Sequence, residues 1–350
     1  MKAFVYYGPG DIRVEDRPEP NREIDNLVVK VRCCAICGSD LKLAAIGSPR
    51  CRPPRIIGHE MVGEIIHVRS DVRGFAVGER ITLATTVACG DCPHCALGLG
   101  NMCPNAKPIS NSYDGAFAEY LPVPPLALSG GNVIKVPDCV DDEWAALAEP
   151  LSCAINAQEL AGMKAGYRVL ILGGGPLGAL HAALAKANGA ADVMIVQRSQ
   201  PRISMLRKID GLTVIDGSNV DVSEIVNGHT SGLGADLVIV CAPSKEAQEK
   251  SLEYARKGGA VSLFASLPKG DSHINLDSRL IHYNELRVVG ASDSRPVHVE
   301  KAIALMAEGK INLKEIVTHR LTLDNIQEGL DLMREKKSLK VMVYPGEILP

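Results

Sequence analysis

The chain has 350 residues, 46% of them hydrophobic and 23% charged, with a net charge of −3. That length predicts two domains with sizeable cores, and the near-balanced charge gives no reason to expect nucleic acid or an anionic membrane as partner. No apolar signal segment opens the sequence, and the run Val169–Ala185 is too short and too interrupted by Gly and Pro to span a membrane. Eleven cysteines without a secretion signal predict reduced thiols in a cytoplasmic setting.

The first 150 residues read as mostly β. Leu27–Arg32, Glu64–Val68 and Arg80–Leu83 are short Val/Ile-rich runs between Gly/Pro/Asp clusters. Within this half, Cys37-Gly-Ser39-Asp40 and Gly58-His59-Glu60 offer a thiolate and an imidazole, both suited to zinc. A further ligand or a water-holding carboxylate would come from Glu60 or from Glu149 in Glu149-Pro150-Leu151-Ser152. Between them Cys89, Cys92, Cys95 and Cys103 fall in a C-x2-C-x2-C-x7-C pattern. Four soft thiolates so close in sequence can close a tetrahedral shell, and the long last spacing favours structural zinc over an iron–sulfur cluster. The other six cysteines, Cys33, Cys34, Cys51, Cys139, Cys153 and Cys241, read as buried inert thiols. Leu121–Leu126, with its prolines, reads as loop or edge strand.

From about residue 165 strands and helices alternate. Arg168–Leu172, Val193–Val196, Ala235–Val240 and Ala260–Phe264 read as strands, with helices over Pro176–Asn188, from about Pro201, and up to about Lys257. This pattern predicts a parallel sheet of βαβ units. Two later amphipathic helices carry Ile303, Leu305 and Met306, and Ile326, Leu330 and Met333. The turn Gly173-Gly-Gly175-Pro176-Leu177-Gly178 follows a strand and opens a helix, the context of a dinucleotide site. Backbone N–H groups and the helix dipole there suit a pyrophosphate. The second strand ends in Gln197-Arg198, with Arg202 nearby and no carboxylate between Val193 and Lys208. An acidic residue would bind the ribose hydroxyls of NAD; two arginines suit the 2′-phosphate of NADP, which is favoured over NAD.

These motifs, with Val77-Gly78-Glu79-Arg80 and Asp114-Gly-Ala-Phe117-Ala-Glu119-Tyr120, resemble in order the zinc-dependent medium-chain dehydrogenases of the alcohol/polyol family. The Glu149-Pro150-Leu151-Ser152 form is similar to the sorbitol/threonine dehydrogenase branch. The resemblance implies an α/β architecture: a GroES-like, mostly-β catalytic domain (1–155 and 292–350) and a Rossmann doubly wound parallel-sheet domain (156–291). It implies two zinc ions per chain. Cys37 and His59 would bind the catalytic one, with Glu60 and Glu149 as exchanging or water-holding carboxylates; the four cysteines would bind the structural one. Ser39 would take the alcohol proton. Lys42 stands where many relatives place a relay His, and would end the relay differently or bind an anion. Sorbitol-type enzymes carry an Arg shortly after the strand equivalent to Leu286–Gly290, where this chain reads Gly290-Ala-Ser-Asp293-Ser-Arg295. The implied activity is hydride exchange between a small-molecule secondary alcohol, on a polyol, sugar or sugar phosphate, and its ketone. The alternatives are an amino-alcohol dehydrogenase of threonine type and a non-catalytic nucleotide-binding scaffold. A homodimer or homotetramer is implied, with Leu286–Ala291 as the edge strand between subunits.

Overall fold

The structure, a computed structural model, describes residues 1–346. Leu27–Ala35 and Glu60–Val68 pair antiparallel at the centre of the N-terminal sheet. Arg80–Leu83 and Val133–Lys135 extend it on one side. On the other side it is completed from the far end of the chain, by Lys340–Tyr344 and then Val317–Thr322. A smaller sheet of Asp11–Asp16, Lys2–Gly8 and Arg55–Ile56 lies apart from it.

The second layer system is a six-stranded parallel sheet, ordered Thr213–Asp216, Asp192–Gln197, Arg168–Leu172, Ala235–Val240, Ala255–Leu263, Arg287–Gly290. The chain order is thus 3-2-1-4-5-6, so the direction of winding reverses beside Arg168–Leu172, where such sheets open a ligand crevice. Its strands are runs of Val, Ile and Leu because both faces are covered by helices; Val169, Leu170, Ile171, Leu237, Val238 and Ile239 are all fully buried. The mixed α/β fold, a mostly-β half with a Rossmann-type parallel sheet, agrees with the sequence reading.

Local expectations need three adjustments. The helix read as reaching Lys257 ends at Tyr254, and Ala255–Leu263 is strand. Ala255 already pairs with Ala235 and the register then shifts, at a point where Gly258 has φ +70 and a Cβ on Gly259 would meet the Arg256 carbonyl oxygen at 2.8 Å. Leu121–Leu126 divides into the strand Tyr120–Pro122, paired with Val28–Lys30, and the start of a helix, Pro125–Ser129. Of the six unassigned cysteines, Cys33, Cys34 and Cys51 are buried, Cys139 is exposed, and Cys153 and Cys241 line a cleft. The two late amphipathic helices are Pro296–Ala307 and Ile326–Arg334, burying Ile303 and Met306, and Ile326, Leu330 and Met333. Among the described residues no helix is long and apolar enough to cross a membrane.

Candidate functional site

Cys37 and His59 reach one place because two backbone devices aim them. Cys37 caps the helix Gly38–Ile46, and its N–H donates to the Asp40 carboxylate at 2.9 Å. The Asp40 carboxylate also stands 3.7 Å from His59 Nδ1, so one buried side chain holds the two donors together. His59 follows Gly58, whose φ of +94 and whose lack of a Cβ, which would meet the Phe117 ring at 2.6 Å, make glycine obligatory. The donor atoms of Cys37, His59 and Glu60 lie within 4.8 Å of one another.

Glu60 is fully buried and paired with Lys340, whose ammonium donates to both carboxylate oxygens and, at 3.4 Å, to the Ile36 carbonyl. Glu149 enters from the helix Ala148–Leu160, accepts from Thr85 Oγ1 at 3.2 Å, and forms a second donor group with Cys153 and Asp293, again within 4.8 Å. Burial, with the nearby charges of Glu60 and Asp293 and against that of His59, raises the Glu149 carboxyl to about 7. Burial pushes the His59 imidazole down, but Cys37, Asp40 and Glu149 overcome it and hold it well above its usual range. So many anionic groups in one dry pocket demand positive charge. Thiolate, imidazole and carboxylate are the donor set of zinc, and the residues fit that ion.

Both groups line one cleft of about 680 Å3, which also takes in Ser39, Met102, Leu177 and Phe264. Leu177 belongs to the glycine turn, so the two donor groups and that turn share a cavity. Lys42, three residues beyond Ser39, is exposed and lies outside this lining.

In the turn itself, a Cβ on Gly178 would lie 2.1 Å from the Gly173 carbonyl oxygen, so the helix packs on the strand only with glycine there. Gly175 precedes Pro176 at the N-terminus of the helix Pro176–Ala187 and has only Arg202 near a hypothetical Cβ, at 3.5 Å. Its bareness leaves a cradle for a ligand rather than for protein, and fits a pyrophosphate. Gly173, Gln197, Arg198 and Lys336 line an adjoining cavity of about 650 Å3. The Gln197 side-chain oxygen is committed to the N–H groups of Arg198 and Ser199, at 2.7 and 3.0 Å. Arg198 is an exposed side chain held by the Gly217 carbonyl at 3.2 Å and, loosely, by Glu246 at 3.7 Å. Arg202 is largely buried and donates to the Ser338 carbonyl at 3.1 Å.

The four cysteines converge at a separate lobe. Their sulfurs are 3.5 Å (92–95), 3.8 Å (92–103), 3.4 Å (89–103) and 4.0 Å (89–95) apart. Four thiolates about 2.3 Å from one zinc, at tetrahedral angles, stand about 3.8 Å from each other. The lobe touches the cleft: Asn101 donates to the Ser292 carbonyl at 3.0 Å, Arg295 donates to the Gly98 carbonyl at 3.0 Å, and Met102 faces the cavity.

Residues 23–138 match the alcohol dehydrogenase GroES-like domain and residues 176–308 the zinc-binding dehydrogenase family. A sorbitol dehydrogenase of Halalkalibacterium halodurans is 32% identical over 349 residues, 99% of each chain. The chain belongs to the zinc-binding medium-chain dehydrogenases. An L-threonine 3-dehydrogenase of Pyrococcus furiosus is 34% identical over 98% of this dehydrogenase and 97% of its own length. A crystal structure from Sinorhizobium meliloti, described as a zinc-binding dehydrogenase bound to NADP, superposes with a TM-score of 0.87 at 33% identity, covering 98% of this chain and 99% of that one. This dehydrogenase is therefore an oxidoreductase of the alcohol/polyol class, acting on a small molecule.

Sequence reasoning did not assign Asp40, Thr85, Cys153, Lys340 or Asp293 to the site. Lys340 carried a signal: one cation at the head of the apolar strand Lys340–Tyr344, every residue of which is buried. Cys153 stands four residues after Glu149, on the same helix face. Thr85 and Asp293 carried none that local spacing reveals.

Proposed function

We propose that the chain is a zinc-dependent, NADP-preferring dehydrogenase that interconverts a secondary alcohol of a polyol, sugar or sugar phosphate with its ketone. The single observation that supports it most is the shared cleft, in which Cys37, His59, Glu60 and Glu149 meet Leu177 of the cofactor turn. In this reading Cys37, His59 and Glu149, with Glu60, hold the catalytic zinc, and Cys89, Cys92, Cys95 and Cys103 hold the structural one. A zinc ion there supplies Lewis-acid polarisation of the alcohol oxygen. Ser39, on the cleft wall, accepts the hydroxyl proton and passes it towards solvent. A bound nicotinamide cofactor would supply the acceptor for the hydride of the carbinol carbon, and Leu177 and Phe264, on the same cleft wall, would flank its ring. Asp40 fixes the imidazole, and Lys340 balances Glu60. Lys42, outside the lining, is given no step.

Arg198 and Arg202 support NADP, as does the absence of a carboxylate at the end of Asp192–Gln197. Amino-alcohol oxidation is a second reading, favoured by the 34% identity with the threonine enzyme. The edge position of Arg287–Gly290 in its sheet supports a homodimer or homotetramer built on that edge, and eleven cysteines of which none is paired in a disulfide support a cytoplasmic setting. The test is metal content with turnover. Cys37→Ser is expected to lose one of two zinc ions per chain and all alcohol oxidation while the far-ultraviolet circular dichroism is kept. Retained oxidation refutes the assignment.

A further inference from the structure

The lining of the cleft carries three carboxylates, Glu60, Glu149 and Asp293, against one imidazole, His59. None of the described residues lining it is Lys or Arg. The two basic side chains nearest in sequence or structure are spent elsewhere: Lys340 on Glu60, and Arg295 on the Gly98 carbonyl at 3.0 Å and on His298, whose Nε2 is 3.2 Å away. One carboxylate in that wall, Asp293, has no cationic partner among the described residues.

Asp293 is not a loose surface acid. It holds a left-handed backbone conformation, φ +59, which costs a non-glycine residue energy and persists only where neighbours impose it. Three contacts impose it. The Ser294 N–H donates to Oδ1 at 2.7 Å, the Thr86 hydroxyl donates to Oδ2, and the Asn156 amide donates to the Asp293 carbonyl at 2.8 Å. Thr86 lies in the short strand Thr86–Val87 and Asn156 on the helix that carries Glu149, so one element holds the carboxylate and another the backbone. Its carboxylate then stands within 4.8 Å of the donor atoms of Glu149 and Cys153, at the place where a substrate alcohol must meet the metal-ligating groups.

We infer that Asp293 is a specificity-determining residue: its carboxylate receives a hydroxyl or an ammonium on the carbon beside the reacting one and repels a carboxylate or a phosphate there. The substrate class narrows accordingly to vicinal diols and polyols and to amino alcohols that carry no acid group on that carbon, and excludes threonine and any sugar phosphate whose phosphate sits on that carbon. This inference rests on the reading of the cleft as an alcohol dehydrogenase site. A like-charge encounter at this half-buried carboxylate, which has no ion-pair partner among the described residues, discriminates against the wrong ligand.

The experiment uses the zinc-loaded enzyme with NADP and four secondary alcohols, CH3-CH(OH)-CH2-X, that differ only in the group X on the neighbouring carbon: propylene glycol, isopropanolamine, 3-hydroxybutyrate and propylene glycol phosphate. The expected order of kcat/KM puts the first two above the last two. Asp293→Asn keeps the size of the side chain and tolerates the left-handed backbone. It is expected to lower the isopropanolamine-to-3-hydroxybutyrate ratio by about tenfold or more, the equivalent of about 1.4 kcal/mol. Thr86→Val, which frees the carboxylate, is expected to move the ratio in the same direction by less. A ratio unchanged within about twofold, one unit of charge notwithstanding, overturns the inference, as does a wild-type preference for 3-hydroxybutyrate or the phosphate. Loss of a zinc ion from Asp293→Asn, read by metal analysis, also overturns it by making Asp293 a ligand. If wild type oxidises none of the four nor any other alcohol with either cofactor, the dehydrogenase reading itself fails; turnover with an unmoved ratio fails this inference alone.

Discussion

Replacing Lys340 with Met should destabilise the protein more than any surface change, and the structure says by how much. The Lys340 and Glu60 side chains are 2% and 0% exposed, so neither charge has water to fall back on. Burial alone would lower the Lys340 pKa, yet the charge and hydrogen bonds of Glu60, with Cys37, raise it, so the ammonium stays charged. Lys340→Met strands the Glu60 carboxylate, and breaking a buried pair in this way costs about 3 to 5 kcal/mol. With an unfolding entropy of about 2.1 cal/mol/K per residue, a chain of 350 residues melting as a unit would lose about 5 °C in Tm, and about twice that if half of it melts alone. Glu60→Gln in the same background removes the stranded charge, so the double variant should recover most of the loss, with a coupling energy of about 3 kcal/mol. Calorimetry on wild type, both single variants and the double variant, each after chelation, isolates the pair from any metal contribution. A Lys340→Met loss below about 1 kcal/mol, or a double variant equal to the sum of the singles, would refute the reasoning.

Other outcomes follow from the same geometry. Arg198→Ala should raise KM for NADP by about 10- to 100-fold, the equivalent of one charge-assisted contact, and leave that for NAD within about threefold; equal changes for both cofactors would return Arg198 to its contact with Gly217. Cys95→Ser should release one zinc ion per chain and lower Tm, and because Asn101 and Met102 tie the lobe to the cleft, KM for the alcohol should rise before kcat falls; a variant with two zinc ions would refute the closed shell. His181 is fully buried against Phe264, and burial lowers its pKa to about 3. The folded state therefore refuses a proton that the unfolded chain takes up below about pH 6.5, so stability present above that pH is lost as pH falls towards 3. Between pH 7 and 5 this group should account for about 2 kcal/mol of loss in urea titrations, and His181→Leu should flatten the profile by that amount.

What could be read from the sequence was whatever covalent spacing dictates. Gly173 to Gly178 works within six residues, and the four cysteines within fifteen, so their geometry is nearly implicit in their order. Four of the six parallel strands were legible because burial on both faces leaves Val and Ile runs with little else in them. Arg287–Gly290 was placed through the resemblance, and Thr213–Asp216, where only Ile215 is buried, was not read at all. The alternation also misplaced the border at Tyr254–Ala255, where helix passes directly into strand and no Gly or Pro marks it. The rest of the site joins distant segments. Lys340 meets Glu60 across 280 positions and Thr86 meets Asp293 across 207, and the chain has no local signal for either. The six unassigned cysteines show the same limit, since a thiol four residues after Glu149 reads like any helix residue until the helix is placed.

The strand Lys340–Tyr344 also sets an order of events during synthesis. It pairs with Cys34 and Ala35, accepts the Ile36 N–H at Val341, and delivers the cation that Glu60 requires. At about 5 to 20 residues per second the ribosome adds the intervening 280 residues in about 14 to 56 s. Throughout that interval Cys37, His59 and Glu60 have emerged without the strand that supports them. The cluster of Cys37, His59 and Glu60 is therefore among the last parts of the molecule to mature, and a nascent chain stalled before Lys340 has these side chains but not their frame.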